Sequence, residues 1–157
     1  MNFNKNYIFS FIALMFLLVA CDSNRILEEN MAIGGDGWNV KDKVKMELDV
    51  VDPSQSTNFY VNVRHAEDYG YSNLFLFIKT IFPSGDMAVD TLECILADGN
   101  GNWLGSGVGD VYGNQIPFKK NVRFPTTGKY KFEIEHGMRV DVVPLIMDVG
   151  LRIEKAD

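Results

Sequence analysis

The stretch Lys129-Tyr-Lys-Phe-Glu-Ile-Glu-His136 decides the fold. Tyr130, Phe132, Ile134 and His136 fall on every second position, and Lys129, Lys131, Glu133 and Glu135 fill the gaps. Successive side chains of a strand point to opposite faces, so this pattern puts one face in a core and the other in water. The same period recurs outward from it. Val44, Met46, Leu48 and Val50 alternate with Lys43, Lys45, Glu47 and Asp49; Phe59, Val61 and Val63 alternate with Tyr60, Asn62 and Arg64. Val149, Leu151 and Ile153 share one face of a closing strand over 147–154. Residues 73–82 (NLFLFIKTIF) are apolar on both parities and read as a central strand covered on both faces. A strand over 88–97 follows the turn Pro83-Ser84-Gly85-Asp86, and residues 115–124, interrupted by Pro117, read as an edge strand. Seven or eight short strands, with no convincing helix after residue 20, predict an all-β domain over 31–157. The expected architecture is an antiparallel β-sandwich. Long connections at 66–72 and 137–146 alternate with short ones, which suggests the jelly-roll-like form.

The first twenty residues follow a different rule. Lys5 is the only charge before Cys21, and the apolar run 7–20 is shorter than the roughly 20 residues a spanning helix needs. The run ends in Leu18-Val19-Ala20-Cys21, the pattern of a bacterial lipobox. A small residue before the cleaved bond fits a peptidase pocket, and a thiol is the side-chain nucleophile suited to accept a diacylglyceryl group. Residues 1–20 are thus expected to be a lipoprotein signal peptide, with Cys21 the site of lipid attachment through palmitate-type chains. Residues 21–30 read as a polar, lipidated tether reaching at most about 30 Å. Two or three acyl chains anchor a domain essentially permanently, because each buried methylene adds roughly 0.8 kcal/mol.

Composition narrows the function classes. The net charge is −6, and there is no basic cluster, which argues against nucleic acid and against charge-driven binding to an anionic membrane. Only Cys21 and Cys94 are present, so a disulfide-stapled scaffold is excluded; Cys94 shares the parity of Leu92 and Leu96 and reads as a small buried residue. His65 stands in His-Ala-Glu-Asp (65–68) without the convergent ligands that a metal needs, and His136 continues a core-facing parity. Asp98-Gly-Asn-Gly-Asn102 starts like a calcium loop but has Trp103 and Gly109 where Gly and Glu are required, so it reads as a tight turn. Gly105-Ser106-Gly107 is not a nucleophile elbow, and Gly105, Gly107 and Gly109 precede no phosphate-binding helix. The expectation is a non-enzymatic protein that needs no metal and no cofactor. Trp38, Tyr69, Tyr71, Trp103 and Tyr112 fall in loops or on outward parities and form the candidate binding surface, for a protein partner or, alternatively, for a glycan.

Four segments in order carry a resemblance: Tyr71-Ser-Asn-Leu-Phe-Leu-Phe77; Asp90-Thr-Leu-Glu-Cys-Ile-Leu-Ala-Asp98 with Gly101-Asn-Trp-Leu-Gly105; Arg123-Phe-Pro125 with Gly128-Lys-Tyr-Lys-Phe-Glu-Ile-Glu135; and Asp148-Val-Gly-Leu-Arg-Ile-Glu154. From lipobox to C-terminus the chain resembles the gliding-motility lipoprotein GldH family of the Bacteroidota. The resemblance implies an envelope lipoprotein that accompanies the surface-motility machinery and works through contacts with other envelope proteins. It supplies no catalytic motif, and only Cys21 takes a role from it. Surface-exported lipoproteins of this phylum tend to carry an acidic cluster after the lipidated cysteine. Here Asp22-Ser-Asn-Arg25 has a single acid, which implies the periplasmic face of the outer membrane. The rival expectation is a surface carbohydrate-binding β-sandwich module.

Overall fold

In the computed structural model, which describes residues 22–156, the deciding stretch is strand β8 (Gly128–His136), lying between β3 (Val44–Val50) and β5 (Asn73–Ile81). Its partners explain its alternation. Met46 stands opposite Phe132 and Val44 opposite Ile134, all four buried. On the other face the charges are complementary across strands: Lys129 and Lys131 reach Glu47 at 3.2 and 3.6 Å, Lys43 reaches Glu135 at 2.7 Å, and Lys79 reaches Glu133 at 3.5 Å. β6 (Met87–Ile95) completes this sheet in the order β3-β8-β5-β6.

The second four-stranded sheet runs β1 (Arg25–Ala32), β10 (Ile146–Lys155), β4 (Thr57–Ala66), β7 (Val111–Val122). A small pair, β2 (Trp38–Asn39) with β9 (Val142–Val143), stands apart. Every pairing is antiparallel, and no described residue is helical. The inner faces meet in one core: Val61, Val63, Val149, Leu151 and Ile153 from one sheet, Leu74, Leu76, Ile78, Phe132 and Ile134 from the other. Phe59 crosses to Phe132 with ring centroids 6.2 Å apart. With the small pair set aside, the pairings are nested: β1 with β10, β3 with β8, β4 with β7, β5 with β6, successive layers alternating between sheets.

Two expectations are corrected. β5 is interior to its sheet, but only the Leu74, Leu76 and Ile78 face enters the core; Phe77 is 39% exposed on the outer face. Apolar residues on both parities of β5 therefore do not mean two covered faces. The loop after β8 folds over part of that outer face: Phe75 N–H donates to Met138 Sδ at 3.4 Å, and a Cβ on Gly137 would stand 2.9 Å from the Phe77 ring. The second correction concerns the polar segment read as a tether. From Arg25 onward it is strand β1, paired along β10 from Arg25–Glu154 to Ala32–Asp148. The signal peptide and Cys21 lie outside the described residues. The edge position of residues 115–122, the strand placement of 44–50 and the burial of Cys94 agree with the sequence; the Cys94 thiol is pushed up to about 12 by burial.

The antiparallel registers sort the loops into two ends. Residues 22–24, 51–56, 82–86, 123–127 and 155–156 share one end; residues 33–43, 67–72, 96–110 and 137–145 share the other. Strands of this length separate the two by roughly 25–30 Å.

Candidate functional site

Four of the five aromatic residues singled out from sequence converge at the end opposite Asp22. Tyr69 comes from the loop after β4, Tyr71 from the entry to β5, Trp103 from the loop after β6, and Tyr112 from the start of β7. They meet around His65: its ring centroid lies 4.4 Å from Trp103, 5.4 Å from Tyr69 and 5.8 Å from Tyr112. Tyr69 continues to Tyr71 at 5.6 Å. Sequence separation of more than forty residues is closed by the β4–β7 pairing, which sets His65 opposite Tyr112.

The loop carrying Trp103 is preorganised by its own side chains. Asp98 Oδ1 accepts the backbone N–H of Asn100 and Asn102 at 2.9 and 2.8 Å, and its Oδ2 accepts the Asn102 amide at 2.9 Å. Those bonds hold the carboxyl below its usual range, led by the Asn102 amide, and make the segment the tight turn expected from sequence. Trp103 then bridges to Ala97. Farther on, Ser106 and Gly113 exchange backbone hydrogen bonds at 3.0 and 2.8 Å. Gly107 makes that close return possible: a Cβ there would sit 1.7 Å from the Val111 carbonyl oxygen.

Burial divides the candidates. Tyr69 is buried, its hydroxyl donating to the Asn73 carbonyl at 3.1 Å, and Trp103 and Tyr112 are half-buried. Tyr71 is 39% exposed. Trp38, expected on the surface, is a core residue. It is fully buried, its indole N–H donates to the Asp42 carbonyl at 2.7 Å, and it packs edge-on against His136 at 5.4 Å. Trp38 and Tyr69 are thus removed from the binding surface, because large rings close the ends of the core. Of the remaining rings, Trp103 and Tyr112 meet at 42° rather than lying in one plane.

What this end does expose is aliphatic, and the sequence reading passed over it. Leu104 is 59% exposed and shares a cleft of about 470 Å³ with Ile95, Gln115 and Ile116. Tyr71 and Val140 line another of about 310 Å³ with Phe75 and Met138. Their signal was available only as isolated apolar residues among turn-formers, which periodicity does not register.

Both histidines belong to this end and are fully buried. His65 Nδ1 lies 2.9 Å from the Ala66 carbonyl, whereas its Nε2 and both ring nitrogens of His136 have no hydrogen-bond partner. Burial holds both imidazoles below the usual pKa; for His65 the Ala66 carbonyl opposes it, and for His136 the nearby backbone of Asp141 and Trp38 does. Among the described residues no group of three or more His, Cys, Asp or Glu is placed to hold a metal ion.

The opposite end is polar and tied. Arg152 of β10, mostly covered, binds three carboxylates: Asp22 at 2.5 Å, Glu154 at 2.8 Å and Glu28 at 2.9 Å. Asp22 is held below its usual pKa, chiefly by that guanidinium. The backbone N–H of Lys155 donates to the Asn24 carbonyl at 2.8 Å, and that of Ala156 to Ser56 at 2.8 Å.

Residues 25–153 match the family described as GldH lipoprotein. The chain belongs to that family. It is 39% identical, over 96% of both chains, to the gliding motility lipoprotein GldH homolog of Christiangramia forsetii, and 35% identical to the gliding motility lipoprotein GldH of Flavobacterium johnsoniae, covering 90% of this chain and 91% of that one. The match begins at the first residue of β1, so the GldH unit includes the strand that sequence had assigned to a tether. A solved structure, dimeric latent PorU of Porphyromonas gingivalis, covers 84% of this chain and 13% of its own, at 8% identity and a TM-score of 0.28.

Proposed function

We propose that this chain is a non-enzymatic, acylated lipoprotein of the cell envelope, an accessory component of a gliding-motility-type assembly. Residues 1–20 are its signal peptide and Cys21 carries the acyl chains, on the periplasmic face of the outer membrane. The nested strand order supports the jelly-roll form, and the domain acts through protein contacts made by the end far from Asp22.

The observation that carries the reading is a separation. The first described residue is tied to Arg152 at one end, and the clefts that display Leu104, Ile95, Tyr71 and Val140, bordered by polar groups such as Gln115 and Asn73, lie toward the other. Sandwich loops cluster at the ends and carry binding, while the strands between them serve as a rigid spacer. Family membership and the lipobox support the envelope placement. The tilt of Trp103 against Tyr112 favours a protein partner over a sugar, which needs a flat face.

The test is a photo-crosslinking residue at Leu104, compared with one at Lys45 on the outer sheet face, in native envelopes. Adducts with envelope proteins are expected from position 104 and not from 45. Adducts with polysaccharide alone would replace this reading with the carbohydrate module.

A further inference from the structure

The end that holds Asp22 carries a feature its polar ties do not explain. Between the two sheets there, Ile26, Leu48, Val50, Val51, Thr57 and Phe124 line a largely apolar cleft of about 290 Å³. Val51 stands on its rim, 88% exposed. The loop that displays it is preformed: Asp52 Oδ1 accepts the backbone N–H and the hydroxyl of Ser54, at 2.9 and 2.6 Å. Lys155 and the carboxylates of Asp49 and Asp52 surround the cleft, so its border is of mixed sign.

Asp22, which follows Cys21 in the chain, belongs to this end. Asp22 is fixed to Arg152, and consecutive Cα atoms are about 3.8 Å apart, so no slack separates residue 21 from this end of the sandwich. A lipid attached there brings the bilayer surface against the loop at 51–56. We infer that this end is a lipid-facing seat, on which the domain stands end-on, with Val51 entering the boundary between headgroups and acyl chains. The inference rests on acylation of Cys21. One exposed valine would not hold a soluble protein to a membrane, but an acyl anchor attached next to Asp22, at the same end of the domain, makes the second contact intramolecular, where weak contacts are populated. The mixed border suits a zwitterionic surface rather than a strongly anionic one.

The experiment uses the acylated full-length chain reconstituted into vesicles of phosphatidylethanolamine and phosphatidylcholine with brominated acyl chains. An environment-sensitive fluorophore is placed by Val51→Cys or, at the opposite end, by Val108→Cys, where the native side chain is 96% exposed. Cys94 is fully buried and escapes labelling. Quenching and a blue shift at position 51, several-fold greater than at 108, are expected. A protein that floats with the vesicles but shows equal or no quenching at the two positions overturns the seat and leaves the lipoprotein reading standing. A protein that does not float overturns both.

Discussion

The two ends of the sandwich both pack rings, but one adds a cluster of ion pairs and the other buries histidines among its rings. The end that holds Asp22 packs Phe124 and Phe82 on Tyr130, at 4.8 and 5.8 Å, and adds charge and backbone bonds at its border: one guanidinium among three carboxylates, and two β-type hydrogen bonds tying residues 24 and 156. The far end is closed by rings, with Trp38 on His136 and Tyr69, Trp103 and Tyr112 around His65. Ion pairs at a partly exposed site contribute modestly and tolerate rearrangement, whereas buried rings contribute area and leave little room for change. The difference assigns the ends different vulnerabilities. Loss of Arg152 should loosen the border of the first, and acid should loosen the second.

The most severe break is expected from the rings. Trp38→Ala at the far end and Phe132→Ala in the middle of the core should each cost about 3–5 kcal/mol, the usual range for emptying such a site. Chemical denaturation should show one transition in both variants. A second transition appearing only in Trp38→Ala would divide the ends into separate cooperative units.

Acid sharpens the comparison next. His65 and His136 are held neutral in the folded state, so below 6.5 the unfolded chain binds more protons and stability falls as pH drops. The slope is at most about 1.4 kcal/mol per pH unit for each histidine, and it ends where the folded histidines themselves protonate. Asp22 has the same sign of dependence in a lower window: its contribution is complete above 3.8 and is lost as pH falls through its lowered folded value. Between pH 7 and 5, hydrogen exchange corrected for intrinsic rates should accelerate around residues 65–69 and 103–112 before the Lys155 amide. Simultaneous loss at both ends would contradict the division.

Arg152→Gln is the corresponding lesion at the near end. Three carboxylates are then left together, and the Lys155 amide should exchange faster while β5 and β8 stay protected. The smallest effect is expected from Leu104→Ser, an exposed change that should move stability by no more than about 0.5 kcal/mol while removing crosslinks to envelope proteins.

Most of the strand layout was legible because half-buried strands announce themselves by period two, as β3, β4, β8 and β10 do. β1 did not. Only Leu27 of its eight residues is buried, since it is an edge strand whose outer face holds Glu28 and Asn30. Its pairing also needs Gly150, where a Cβ would stand 2.1 Å from Asn30 Oδ1, a relation spanning 120 positions that no local pattern records. The aromatic candidates were legible as types but not as exposures. Tyr71 remains accessible and Trp38 does not, because a ring in a loop can turn into the end of the core as readily as into solvent, and the sequence holds no periodicity there to decide.

β1 has no strand partner except β10, so the first strand of the domain waits for the last. Residues 25–32 have no ladder to join until residues 146–155 have been made and close the sheet. For that interval the N-terminal segment is slack chain. Afterwards the same residues are strand, and the slack is gone. The tether exists in time rather than in space, and completion of the sheet sets the moment it disappears.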